Sequence, residues 1–195
     1  MSVVELSTPL DEGAVRALHV GDVVTVTGVV VTARDRAHAY LAGADVRGEL
    51  PFELAGGVIY HCGPIGQKTA AGLRVISAGP TTSARMNPYE RLVVERYGVR
   101  AIIGKGGMAD ELLETFSRVG CVYLSAYGGC GALYARHIGT VVDVFKQEEF
   151  GAPEALWLLE VQGFPAIVTM DAHGGSLHRE IRQRSRQAAA DLGLP

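Results

Sequence analysis

Hydrophobic positions along the chain follow two rhythms. A short helical stretch over Asp11 to Leu18 precedes the run Val23-Val24-Thr25-Val26-Thr27-Gly28-Val29-Val30-Val31. Its β-branched residues do not alternate with polar ones, which predicts a strand covered on both faces. A second short strand is expected over Val58 to His61. From Leu73 onward strands and helices alternate. Arg74 to Ser77 reads as a strand and Pro88 to Tyr97 as a helix, with Asn87 as N-cap, Glu90 in the first turn and Gly98 past the end. Val99 to Ile103, Cys121 to Ala126, Val141 to Phe145, Trp157 to Val161 and Ala166 to Met170 are further predicted strands. Ala109 to Val119 and Ser176 to Leu192 are predicted helices. This alternation implies an α/β fold with a mostly parallel sheet and a β-rich N-terminal portion. No repeat, low-complexity block or Ser/Pro linker interrupts it, so residues 1–195 are expected to form a single domain.

Composition narrows the class. Hydrophobic residues make up 48% and charged residues 20% of the 195 positions, which excludes disordered and fibrous classes. The formal net charge of −3 argues against a nucleic-acid or membrane-surface partner. The longest uncharged run, Val119 to Ala135, is 17 residues with four glycines, too short and too broken to span a bilayer. The three cysteines, Cys62, Cys121 and Cys130, form no C-x-x-C pair. No zinc site, complete iron–sulfur ligand set or disulfide framework is therefore expected, and the sparse count suits a reduced, cytoplasmic compartment.

The 25 glycines punctuate predicted strand ends: Gly79-Pro80-Thr81-Thr82-Ser83, Gly104-Lys105-Gly106-Gly107 and Gly128-Gly129-Cys130-Gly131. Ligands of open α/β sheets bind beyond the carboxyl ends of strands, where glycine lets backbone approach closely. Three hydroxyls followed by Arg85 favour an anion, although an N-capping turn with a solvated Arg is an equal alternative. Lys105 is one of only three lysines against fifteen arginines, so a compact point charge in that glycine frame stands out. No Walker spacing exists, which demotes nucleotide binding. Arg34-Asp35-Arg36-Ala37-His38 and Asp171-Ala172-His173-Gly174-Gly175 also follow predicted strands; each reads more simply as a solvated loop. The closing helix, with Arg179, Arg182, Arg184 and Arg186, reads as a solvated face or a subunit contact. Arg34, Arg85 and Lys105 together suit a small dicarboxylate. On the residues alone, this is a small-anion site of undefined chemistry.

Taken together, GPTTSARM, IGKGGM, TARDRAH, the GGCGAL segment, and EALWLLEV followed by FPAIVTMD resemble the β-type subunit of the iron–sulfur hydro-lyases. That family comprises class I fumarate hydratase and L(+)-tartrate dehydratase, and the resemblance runs from about Leu10 to Leu177. It implies a swivelling β/β/α fold and reversible hydration of a four-carbon dicarboxylate. It also implies a 4Fe-4S cluster carried by an α-type partner, none being bound by this chain alone. By the same resemblance Arg34, Thr81, Thr82, Arg85 and Lys105 contact the substrate, with Thr81 and Lys105 catalytic; Thr81 is the candidate base, helped by an acidic group of the partner. Fumarate is the expected substrate, with tartrate next and mesaconate a further candidate. A non-catalytic dicarboxylate-binding module is the alternative of a different class, and a phosphate-ligand domain ranks lowest. Two-fold assembly in such enzymes makes a homodimer of this chain a further expectation. The chain departs from the family pattern at Arg36, Cys130 and Gly174-Gly175, none of which is an assigned contact.

Overall fold

The computed structural model describes residues 3–70 and 72–193. Nine strands and seven α-helices alternate along it: β1 (Val3–Ser7), α1 (Glu12–Arg16), β2 (Val23–Thr32), α2 (Asp35–Ala42), β3 (Val58–Tyr60), β4 (Ile65–Thr69), β5 (Gly72–Ser77), α3 (Asn87–Tyr97), β6 (Ala101–Gly104), α4 (Leu112–Val119), β7 (Val122–Ser125), α5 (Gly131–Ala135), β8 (Ile138–Phe145), α6 (Gln147–Phe150), β9 (Leu156–Met170) and α7 (Leu177–Asp191). The fold is mixed α/β. Its main sheet has the order β1-β2-β3-β6-β7-β9-β8, and β9 also pairs with β2. That extra pairing closes β2-β3-β6-β7-β9 into a five-stranded barrel.

The expected mostly parallel sheet needs correction. β1 to β2, β2 to β3, β3 to β6 and β6 to β7 are parallel, but β9 runs antiparallel to β2, β7 and β8. The cause is the length of β9. The sequence predicts two strands separated by residues 162–165, yet one 15-residue strand runs through both. Its first half pairs with β8 and with Gly28–Val31 of β2, its second with Val23–Val26 of β2 and with β7. Gly163 takes φ 58°, and its N–H donates to Thr27 Oγ1 at 3.0 Å, so pairing passes through the apparent turn. A bulge at Val26/Gly28 on the facing strand accommodates the bend. Gly28 itself has φ 110°, and a Cβ there would lie 2.4 Å from Thr8 Oγ1.

Period-two alternation divides the core into two layers. Val58, Tyr60, Ile103, Val122 and Leu124 face the barrel interior with Val26, Trp157 and Phe164. Ile59, Ile102 and Tyr123 face outward against Leu41 of α2, Val93 and Val94 of α3 and Phe116 of α4. The Arg74–Ser77 strand leaves the main sheet: β5 pairs only with β4, an unpredicted exposed strand, in a separate hairpin. α3 also starts differently. A 3-10 turn over Ser83–Met86 leads into it, and Asn87 lies within the helix, its Oδ1 accepting from Ala109 N–H at 3.1 Å. The predicted C-terminus holds, with Gly98 left-handed at φ 66°. α7 begins at a Ser176 cap and buries no residue, which fits the solvated reading of its arginines.

Candidate active site

Four parallel strands, β2, β3, β6 and β7, deliver their carboxyl ends to one rim of the barrel. The Thr81-Thr82 segment is laid between the exits of β3 and β6 like a short extra strand. Thr81 N–H donates to His61 O at 2.6 Å, Lys105 N–H to Thr81 O at 3.2 Å, and Ser83 N–H to Lys105 O at 3.0 Å. Cys62 bridges Pro80, and Thr82 bridges Lys105. The Lys105 stem crosses the β7 exit, where a Cβ on Gly128 would stand 2.9 Å from its Cδ. Gly131 packs on Gly79, where a Cβ on Gly131 would stand 3.0 Å from Gly79 N and collide with Ser77 Oγ. The three glycine-marked turns therefore converge as the sequence predicts.

Arg34 and Arg85 approach from the β2 exit. Arg34 Nε lies 3.2 Å from Asp35 Oδ2 and 3.0 Å from Glu154 Oε1, and Arg85 Nη2 lies 2.7 Å from the same Asp35 oxygen. The TARDRAH segment is thus no solvated loop. It turns directly into α2, and Glu154 Oε2 accepts the Arg36 N–H at the helix start at 2.9 Å. These carboxylates correct the expected excess of positive charge: Arg34 is paired with Asp35 and Glu154, and Arg85 with Asp35. Burial opposes ionisation of Asp35, but the Arg34 hydrogen bond and the Arg85 charge outweigh it and lower its pKa.

The five residues form an open shelf. Thr82 and Arg85 are exposed, while Arg34, Thr81 and Lys105 are half-buried. Neither the groove of about 710 Å³ between α3 and α4 nor that of about 730 Å³ beside Lys146 involves any of them. Ser83 does not reach the shelf. Its hydroxyl is buried, accepting from Tyr123 OH at 2.8 Å and pairing with His61 Nδ1 at 2.9 Å.

Beneath the shelf lies a cluster that sequence reasoning missed. His38, His61 and Glu90 are wholly buried, with Glu90 Oε2 3.4 Å from His38 Nε2 and 3.1 Å from His61 Nε2. The signal was present: Glu90 shares the buried face of α3 with Val93, Val94 and Tyr97, at offsets of three, four and seven. In sequence, Glu90 reads only as a first-turn carboxylate of the helix. Burial pushes His61 towards its neutral form. Burial also works against Glu90 ionisation, but the His61 and His38 rings hold its carboxyl below the usual range. Neither imidazole Nε2 makes a hydrogen bond to Glu90, in keeping with a neutral His61.

Asp171 and His173 lie at the opposite end of the barrel, because β9 runs against its neighbours. Asp171 accepts the N–H groups of Val20, His173 and Gly175 at 3.0, 2.9 and 2.8 Å, tying a loop. The cysteines do not fit an iron–sulfur cluster. Cys62 and Cys121 are buried, burial drives both thiols away from the thiolate form (Cys62 to about 12), and no set of cysteines converges among the described residues.

The family model described as Fumarase C-terminus matches residues 1–181. The chain belongs to this family. Among relatives in the Fumarase C-terminus family, it is 43% identical over 196 residues to "Putative fumarate hydratase class I" of Geobacillus stearothermophilus, covering 99% of the chain and 37% of that protein. It is 46% identical over 180 residues to "Putative L(+)-tartrate dehydratase subunit beta" of Methanocaldococcus jannaschii, covering 91% of the chain and 92% of the relative. Against L(+)-tartrate dehydratase subunit beta of Escherichia coli K12, identity is 36% over 176 residues, covering 90% and 86%. The chain therefore corresponds to the β-type part of these hydro-lyases, a separate subunit in the second and third cases. No described helix is long and apolar enough to cross a membrane.

Proposed function

We propose that this chain is the β subunit of a heteromeric hydro-lyase that interconverts fumarate and L-malate with an α-type partner. The observation that carries the reading is the Thr81-Thr82 segment, held between the His61 and Lys105 backbones with Arg34, Arg85 and Lys105 around it. Cations on an open shelf suit two carboxylates, and the exposure of Thr82 and Arg85 leaves that shelf to be closed by another chain. The partner carries the 4Fe-4S cluster, which supplies a Lewis acid to the substrate oxygens. This chain's part is binding and proton handling. Arg34 and Arg85 hold carboxylate, with Asp35 keeping both guanidinia in place until substrate competes for them. Lys105 stabilises charge developing on the substrate, and Thr81 Oγ moves the proton, its basicity raised by a carboxylate of the partner. A swivelling β/β/α fold type, a cytoplasmic location and pairing of β chains belong to the same proposal.

Tartrate is the second reading, favoured by the two β-subunit relatives whose length this chain nearly spans. Anaerobic reconstitution with an α-type partner, followed by turnover of fumarate, tartrate and mesaconate, separates the substrates. Fumarate turnover well above the others supports the proposal. A fully loaded cluster with no turnover of any of the three overturns it, and dicarboxylate binding to the isolated chain would then favour a non-catalytic module.

A further inference from the structure

We infer that His38, His61 and Glu90 form a buried binding site for a divalent transition-metal ion, zinc being the best match, beneath the shelf. Four donor atoms meet there. His38 Nε2, His61 Nε2 and both Glu90 carboxylate oxygens are buried and without a hydrogen-bond partner among the described residues. One ligand atom from each residue can be chosen so that all three lie within 4.8 Å of one another. The nitrogen-to-oxygen separations of 3.1 and 3.4 Å are close to the edge of a ligand tetrahedron, about 3.4 Å for donors about 2.1 Å from the ion.

The outer contacts agree. His38 Nδ1 lies 3.3 Å from Arg34 O, and a carbonyl only accepts, so that nitrogen carries the proton and leaves a lone pair on Nε2. His61 Nδ1 is engaged by Ser83 Oγ, which already accepts from Tyr123 OH. Imidazole nitrogen with carboxylate oxygen is a donor set zinc favours. An imidazolium–carboxylate pair would account for the same distances, but it would place an N–H on a carboxylate oxygen, and neither ring does so. A buried carboxylate without such a bond calls for positive charge from elsewhere.

The site has no route to solvent through its own residues, all three at 0% exposure, so the ion enters as the chain folds. Its role is structural. It joins α2, the β3 exit and α3, whose neighbours Arg34 O and His61 O hold the start of α2 and the Thr81 amide. The inference is independent of the hydro-lyase reading.

The test uses the untagged full-length chain, with elemental analysis after purification and cobalt(II) added during refolding from denaturant in chelator. The expected result is a stoichiometric bound metal, d–d absorption of a four-coordinate cobalt ion, and a Tm raised by zinc. His61→Gln and Glu90→Gln should lose the metal, while His173→Asn, in the surface pair stacked on His19 at 4.6 Å, should keep it. Less than about a tenth of an equivalent in the wild type, with no cobalt band and no Tm shift on refolding, overturns the inference. So does metal that is lost in His173→Asn and retained in the two buried variants. If those variants fail to fold, the wild-type cobalt spectrum and zinc-dependent Tm decide alone.

Discussion

The two ends of the barrel began with similar credentials. Arg34-Asp35-Arg36-Ala37-His38 and Asp171-Ala172-His173-Gly174-Gly175 each place an acid and a histidine just past a strand rich in β-branched residues. At one end the exits of β2, β3, β6 and β7 bring Arg34, Thr81, Thr82, Arg85 and Lys105 together. At the other, Asp171 spends its carboxylate on three backbone N–H groups and closes a loop. Strand direction makes the difference. Parallel neighbours gather their loops on one rim, whereas β9 carries its exit to the far side.

That contrast can be broken most directly by emptying the rim of charge. In the reconstituted enzyme, Arg85→Ala and Lys105→Ala should each lower kcat/KM by about 10²–10³-fold, with circular dichroism unchanged. His173→Ala at the far end should leave kcat/KM within about twofold. A larger loss there would mean that the far end takes part in the reaction. Thr81→Val sharpens the assignment within the rim: kcat should fall by about 10²-fold or more while KM moves little. Equal, minor losses in all three rim variants would return GPTTS to an ordinary turn.

Asp171→Asn should do the reverse, costing about 1–3 kcal/mol of stability in chemical denaturation and little turnover. Burial opposes the Asp171 charge, but the N–H groups of Val20, Gly175 and His173 outweigh it and lower its pKa from 3.8. Its contribution is therefore complete above the unfolded value of 3.8 and disappears as pH falls through the lower folded value. Acid denaturation curves of wild type and Asp171→Asn should converge in that window. The smallest effect is expected from Asp35→Asn. Removing the carboxylate that holds Arg85 should shift KM by about twofold to fivefold, with kcat unchanged within error.

Much of the rim was legible because glycine marks it. Gly104, Gly128 and Gly131 stand where backbone and side chains crowd, and that requirement shows in the sequence whatever the topology. Arg34 was legible on the residues as one of three cations at predicted strand exits, although its local pattern by itself looks like a solvated turn. Its compensation by Asp35 and Glu154 was invisible, because Glu154 lies 120 residues away. Glu90 was hidden for a related reason: a polar residue on a buried helix face looks like an ordinary helix-start acid until its partners are known, and His61, just past β3, has no meaning as a partner until α3 packs over it.

Local sequence determined which segments become strands and helices over most of the chain, because β-branched runs, caps and glycine stops act within a few residues. It also determined the chemistry on offer at each strand exit. Tertiary structure alone decided that β9 passes unbroken through Gly163 and closes the barrel, since this depends on pairing with β2 more than 130 residues earlier. The same closure decided which acid-and-histidine loop shares the rim with Lys105 and which is carried away from it. Direction and distant pairing are properties of the assembled sheet, and no local pattern encodes them.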